Sequence, residues 1–387
     1  MQTSFKGNYL KFILLCFIIG FASCKKDINS TETSNGLTAE NSTLSKKSNT
    51  TPATMSVITT GLNYPRGVKF GPDGNLYVAE AGTGPTALCS TQSCVELQPN
   101  VFSPYFGCPT GGRISRINPS SGSRTTVVDN LPTSVGTNAD GTKADFFGPA
   151  DVGFIGNTLY VLQSGAGCGH GVPSSTNGIY RINSDGSHTL IADLGSWSVA
   201  HPGANNEPDD YTPEGNWYSM AIAQNNFYAL EPNHGNFVKV GLDGSIKEVV
   251  DISASEGHIV PTAVAYKGNF FVGDLGVFPA TGISSVFKIT PSGEMKKIAT
   301  GFNTIVGLVT DKNSKIYVLE MTSQPFPAPG AGRIRKINAN GTVEDVISGL
   351  NFPTAMAMGP DGNLYVSSFG FGPPLGQMVK VTLNNIN

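Results

Sequence analysis

The chain has 387 residues, enough for a full globular unit. Its 47 glycines and 25 prolines, set against only 14% charged residues, make it rich in turns and poor in the Glu, Lys and Arg that surface helices need. A net charge of −3 supplies no basic field for nucleic acid, and a single long apolar run, at the N-terminus, excludes a multi-span membrane protein.

That run reads as a targeting segment. Lys6 and Lys11 precede the short apolar stretch Phe12 to Phe21 (FILLCFIIGF), the layout of a signal peptide over residues 1–23. Phe21-Ala22-Ser23-Cys24 resembles a bacterial lipobox, with Phe21 at the usual Leu position and Cys24 as the lipidated residue. A plain signal peptide cleaved nearby is the other reading. Loss of residues 1–23 removes two lysines and no acid, which leaves 23 basic against 28 acidic residues, or −5. Residues 24–55 are Ser, Thr, Asn and Lys with almost no apolar side chains, so a disordered tether is predicted after Cys24. Lys25-Lys26-Asp27 resembles the charged sorting signals of Bacteroidetes-type lipoproteins, which points to a lipid-anchored envelope protein of the outer membrane, touching the membrane only through its anchor.

With Cys16 in the signal and Cys24 at the lipid site, Cys89, Cys94, Cys108 and Cys168 remain. An even set in an oxidising compartment predicts two disulfides with three possible connectivities. A zinc site is the alternative, but the spacings do not form paired CxxC units.

The folded part, residues 56–387, is a repeat. LYVAE (76–80) recurs as LYVLQ (159–163), FYALE (227–231), FFVGD (270–274), IYVLE (316–320) and LYVSS (364–368). Each follows a short apolar strand (GVKF 67–70, DVGFI 151–155, SMAIA 219–223, TAVAY 262–266, VGLVT 306–310, TAMAM 354–358) and a tight turn such as Gly71-Pro72-Asp73-Gly74-Asn75. Third strands follow (GRISRIN 112–118, GIYRIN 178–183, NFVKV 236–240, SVFKI 285–289, GRIRKIN 332–338, QMVKVT 377–382), then a second turn and a fourth strand such as RTTVVDNL (124–131) or SIKEVVDI (245–252). Only the sixth repeat lacks its fourth strand, and Ser56-Val57-Ile58-Thr59-Thr60-Gly61-Leu62 matches the segment that closes repeat five. The prediction is an all-β, six-bladed β-propeller with four antiparallel strands per blade, the last blade closed by the N-terminal strand.

In such a blade the 1–2 and 3–4 turns lie on one face, and the 2–3 loops and 4–1 links on the other. The long insertions are 2–3 loops (81–111, 164–177, 321–332) and 4–1 links (132–148, 195–216), so this loop face is the predicted functional face. The last residues of strand 2 approach the channel rim there: Glu80, Gln163, Glu231, Asp274, Glu320 and Ser368. Glu80, Glu231 and Asp274 can hold a divalent cation such as calcium; alternatively these acids cap backbone N–H groups or pair with Arg66. His170, His201, His234 and His258 fall in loops of the same face, whereas His188 starts a fourth strand. In Glu231-Pro232-Asn233-His234-Gly235 the 2–3 loop is minimal, which brings Asn233 and His234 to the channel mouth; His234 is a candidate general base or metal ligand, or a hydrogen-bonded loop residue. Trp197, Tyr211, Trp217 and Tyr218 either wall a ligand or pin the 195–216 link.

GLNYPRGVKFGPDGNLYVAEAG (61–82), the Cys-containing insertion before GGRISRI and YALEPNHG (228–235) resemble the ScyD/ScyE family of secreted propellers, over essentially 56–372. The GPDGNLYV element is shared with NHL/TolB-like, gluconolactonase-like and sugar-dehydrogenase propellers. The resemblance implies the fold and export, and brings no reaction or catalytic set. No GxSxG, HExxH or Gly-rich phosphate loop is present. Three functions remain: an envelope binding module for a small ligand or protein partner, a metal-assisted hydrolase, lactonase or lyase, and a quinone-cofactor sugar dehydrogenase that GRISRI and GRIRKI echo.

Overall fold

The computed structural model describes residues 52–84, 89, 103–137, 143–206 and 212–383. The targeting segment, the tether up to residue 51, Cys24, Cys94 and Tyr211 lie outside the described residues; Thr54 and Met55, read as the end of the tether, already belong to the strand Thr54–Leu62. Six antiparallel sheets succeed one another along the chain. Blade 1 begins with Pro65–Phe70 and Leu76–Glu80, blade 2 with Pro149–Ile155 and Thr158–Gln163, blade 3 with Ser219–Ala223 and Asn226–Glu231. Blade 4 begins with Pro261–Lys267 and Asn269–Asp274, blade 5 with Ile305–Thr310 and Ile316–Glu320, blade 6 with Ala355–Met358 and Leu364–Ser368. Each of these pairs is a hairpin. This is the six-bladed propeller.

Ring closure follows the predicted route. Thr54–Leu62 pairs antiparallel with Gly376–Thr382, from Thr54 opposite Thr382 to Leu62 opposite Gly376, and so becomes the outer strand of blade 6. That removes the exposed edge a three-stranded last blade would leave. Between blades, apolar side chains interleave: Tyr160, Phe227 and Trp217 join blades 2 and 3, while Tyr228, Phe237, Phe270 and Phe287 join blades 3 and 4.

Blade 1 departs from expectation. Residues 103–111 and 132–137, read as loop and link, extend strands 3 and 4 into Ser103–Ile117 and Arg124–Thr137, and Lys143–Phe147 adds a fifth strand. Register breaks between Cys108 and Gly112 bend this ribbon where it leaves the blade. Its apolar positions have a buried home: Tyr105 packs edge-on against Phe147, and Phe146 stacks on Tyr64 at 3.8 Å. Such packing outweighs the loop-like Pro and Gly content. Cys108 in this ribbon is disulfide-bonded to Cys89, and Cys168 is disulfide-bonded as well. The 195–216 link opens with the helix Leu194–Ala200, capped by Asp193, whose carboxylate accepts from Ser196 N.

Candidate functional site: the loop face

The first strands of all six blades line the central channel, and they nearly fill it. Lys69, Asp151, Tyr218 and Ser219 come from blades 1 to 3; the blade 4 to 6 side is Ala263, Val264, Val306, Leu308 and Met356, with Gly307. The space left is about 20 Å³, room for a water and nothing larger. A half-exposed Lys69 pairs with the buried Asp151 of the next blade, Nζ to Oδ2 at 3.0 Å, and Asp151 also accepts from Met220 N of blade 3. Tyr218 Oη donates to Thr354 O on the far side of the ring. The channel among these residues therefore offers no room for an organic ligand.

The carboxylates at the ends of strand 2 are consumed by the backbone. Glu80 accepts from Asn63 N at 2.6 Å, Glu231 from Asn216 N at 2.6 Å, and Glu320 from Asn303 N at 2.5 Å. In each blade the donor is an Asn 17, 15 or 17 residues upstream, in the link just before strand 1. The residue after that Asn is forced to positive φ in two of the three, Tyr64 at 50° and Thr304 at 31°. Glu80 and Glu320 thus clamp links at a backbone conformation most side chains avoid, and Glu231 clamps its link without that strain. Their second contacts are equally local: Ser115 Oγ to Glu80, His234 N to Glu231, and Arg333 to Glu320 at 2.6 Å.

The remaining rim positions differ. Asp274 is too short for the link and accepts Ser285 N at 2.8 Å; burial raises its pKa to about 7. Gln163 donates to Pro132 O, and Ser368 is buried. Glu80, Glu231 and Asp274, from three blades, are not brought together, and among the described residues no three His, Cys, Asp or Glu side chains form a metal-sized group. Arg66 donates to Phe146 O at 2.6 Å and lies over the Tyr218 ring at 5.9 Å; it is not paired with the rim acids.

Two of the loop histidines do meet in one network. His170 Nδ1 faces Ser134 Oγ at 3.2 Å, and its Nε2 faces Asn216 Oδ1 at 2.8 Å. Asn216 Nδ2 donates to Thr212 Oγ1, and Thr212 O faces His234 Nε2 at 2.9 Å. Tyr105 and Phe147 enclose the His170 ring. Burial pushes its pKa down to about 4, so it is neutral. Glu214, missed in the sequence, accepts from Cys168 N and Gly169 N at 3.1 and 2.6 Å, and Asn177 donates to Glu214 O and Gly215 O. These contacts tie the blade 2 loop to the 195–216 link. Asn233 and His234 are buried within it. The aromatic residues pin the link: Trp217 is buried, Trp197 packs edge-on to it, and His201 stacks on Trp197 at 4.3 Å. No sequence motif marks Glu214; the Asn–Glu spacing of the clamps, by contrast, stands in the sequence.

The opposite half of the face is apolar. Seven of the eleven exposed large apolar side chains among the described residues lie on this face. Six belong to the 2–3 loops of blades 4, 5 and 6: Val277, Phe278, Ile283, Phe326, Phe371 and Leu375. Phe278 and Phe326 stack at 6.3 Å across neighbouring blades.

No family model and no curated protein matches the chain. Solved structures do. The calcium-binding protein regucalcin of Agrobacterium tumefaciens aligns with a TM-score of 0.53 at 14% identity, over 86% of this chain and 94% of that one. A gluconolactonase of Xanthomonas campestris gives 0.51 at 10% identity, over 85% and 90%. A putative glucose dehydrogenase of Thermus thermophilus gives 0.53 at 14% identity, over 85% and all of that chain. At these identities the likeness is one of fold.

Proposed function

We propose that the chain is a ScyD/ScyE-like envelope lipoprotein, lipid-anchored at Cys24 in the outer membrane, whose loop face binds a small ligand or a protein partner. The observation that carries this reading is the apolar crescent of blades 4 to 6 beside the buried, hydrogen-bonded network of blades 2 and 3. Exposed Phe and Ile side chains in adjacent loops on a rigid ring mark a contact surface. The closed channel and the engaged rim carboxylates favour binding over catalysis.

The test is a native mass spectrum of the chain purified without chelator and incubated with envelope extract. A stoichiometric added mass is expected, lost in Phe278→Ser/Phe326→Ser/Phe371→Ser while the melting temperature stays unchanged. A ligand mass that survives this triple substitution refutes the assignment to the crescent.

The second reading, a metal-assisted hydrolase or lactonase with a divalent cation such as calcium, draws on the names of the regucalcin and the gluconolactonase of like fold. It requires Glu80, Glu231 and Asp274 to leave their backbone partners. A metal mass retained by the wild type and lost in Glu231→Gln would favour it.

A further inference from the structure

A groove of about 490 Å³ opens on the face opposite the loops, between the 1–2 turn of blade 3 (224–226) and its 3–4 turn (241–245). Its lining includes Lys239, Lys247, Asn225, Asn226 and the exposed Leu242. The repeat explains why a cation stands there. Near the end of strand 3 every blade has a basic residue facing an aromatic residue of strand 2: Arg116, Arg181, Lys239, Lys288, Lys336 and Lys380.

What differs between blades is the charge balance. Arg116 pairs with Asp73, Lys336 with Glu344 and Lys380 with Asp361. Arg181 bonds to Asn183, and its strand 4 neighbour is Thr189. In blade 3, however, Lys239 stands directly opposite Lys247, and in blade 4 Lys288 stands opposite Lys296. Like charges in direct register repel. Among the described residues none of these four lysines makes an ion pair, although the chain as a whole is acidic. The acid of the groove, Asp243, is turned to its own turn, accepting from Ser245 N and Oγ. Lys239 is in register with Tyr228, which packs on Phe270 of blade 4, so the groove pair lies on the side of blade 3 turned to blade 4, whereas Lys288, in register with Phe271, lies on the side of blade 4 turned to blade 5. Lys239 is half-buried, so its charge is partly desolvated beside another cation. An anion in the groove relieves that repulsion, and the Asn225 and Asn226 amides can donate to it.

We propose that this groove binds a phosphate-bearing anion between Lys239 and Lys247. The site is separate from the loop face, and the proposal does not depend on the function assigned there. Its source is a soluble phosphate compound or a lipid headgroup, and two probes distinguish them.

Calorimetric titration of the full chain with inorganic pyrophosphate at low salt reads the first. Co-sedimentation with vesicles containing phosphatidylglycerol, against phosphatidylcholine alone, reads the second. Lys239→Gln/Lys247→Gln should weaken binding by about tenfold or more, and added NaCl should weaken the wild type. The control Arg116→Gln/Lys312→Gln removes the same charge on blades 1 and 5, which do not adjoin blade 3, and should change binding less than about twofold. Pyrophosphate should raise the melting temperature of the wild type and not that of the lysine variant. Lysine-dependent binding of pyrophosphate alone assigns a soluble ligand, and lysine-dependent binding of anionic vesicles assigns a headgroup. No binding of either probe, or equal losses in variant and control, overturns the proposal.

Discussion

Glu231 illustrates how a side chain suited to catalysis serves as structure. Its carboxylate is fully buried and accepts two backbone N–H groups, from Asn216 and His234. Glu231→Ala orphans both donors and should cost about 2–5 kcal/mol, while Glu231→Gln keeps one acceptor oxygen and should cost about 1–2. Urea unfolding of the two variants checks the order; equal and small losses would contradict the clamp. Two buried groups also tilt the pH dependence in opposite senses. Asp274 ionises near 7 when folded and near 3.8 in an ordinary environment, so between these values the folded chain holds a proton that the unfolded chain has lost. Stability from this group is present below about pH 4 and falls as pH rises to 7, by up to about 4 kcal/mol. His170 is shifted from 6.5 to about 4, so it lowers stability as pH falls through that window, by up to about 3 kcal/mol. Asp274→Asn should therefore gain stability over the wild type as pH rises from 4 to 7. A difference that stays flat in urea unfolding across those pH values would remove the buried-acid account.

At the scale of elements, the turns hold the blades against one another. Gly122, at φ 71°, ends the 3–4 turn of blade 1, where a Cβ would meet Ile58 O of the closing strand at 1.9 Å. Gly341 occupies the matching turn of blade 5 at φ 82° with nothing within 4 Å. Both substitutions to Ala carry the left-handed backbone penalty of about 1 kcal/mol, but Gly122→Ala must also push the closing strand away. The Gly122 variant should lose at least about 1–2 kcal/mol more than the Gly341 variant, measured by thermal unfolding. The repeated Gly-rich turns were legible in the sequence because their residue types are dictated locally. The blade 1 ribbon was not, since its Pro109, Gly107 and Pro132 resemble loop, and only Phe147 and His170 across the fold give Tyr105 a surface to bury against.

At the scale of the molecule, the ring closes through one strand. A chain starting at Asn63 exposes the Gly376–Thr382 edge and should melt about 10 °C or more below one starting at Pro52, with oligomers in size exclusion. Equal melting of the two would refute closure by the N-terminal strand. The sequence by itself determined the blade count, the strand order, the closing strand and the face with long loops, because period-2 patterning and turn chemistry are local and repeat six times. It also contains the Asn–Glu clamp, visible as the recurrent separation of Asn63, Asn216 and Asn303 from the following Glu. The tertiary structure decided the rest. Burial and the backbone donors at hand decide which partners a carboxylate or imidazole meets, so Glu80, Glu231 and Glu320 are found on the N–H groups of the links and His170 and His234 in one buried network. The apolar crescent and the paired lysines emerged only when distant loops and neighbouring strands were set side by side.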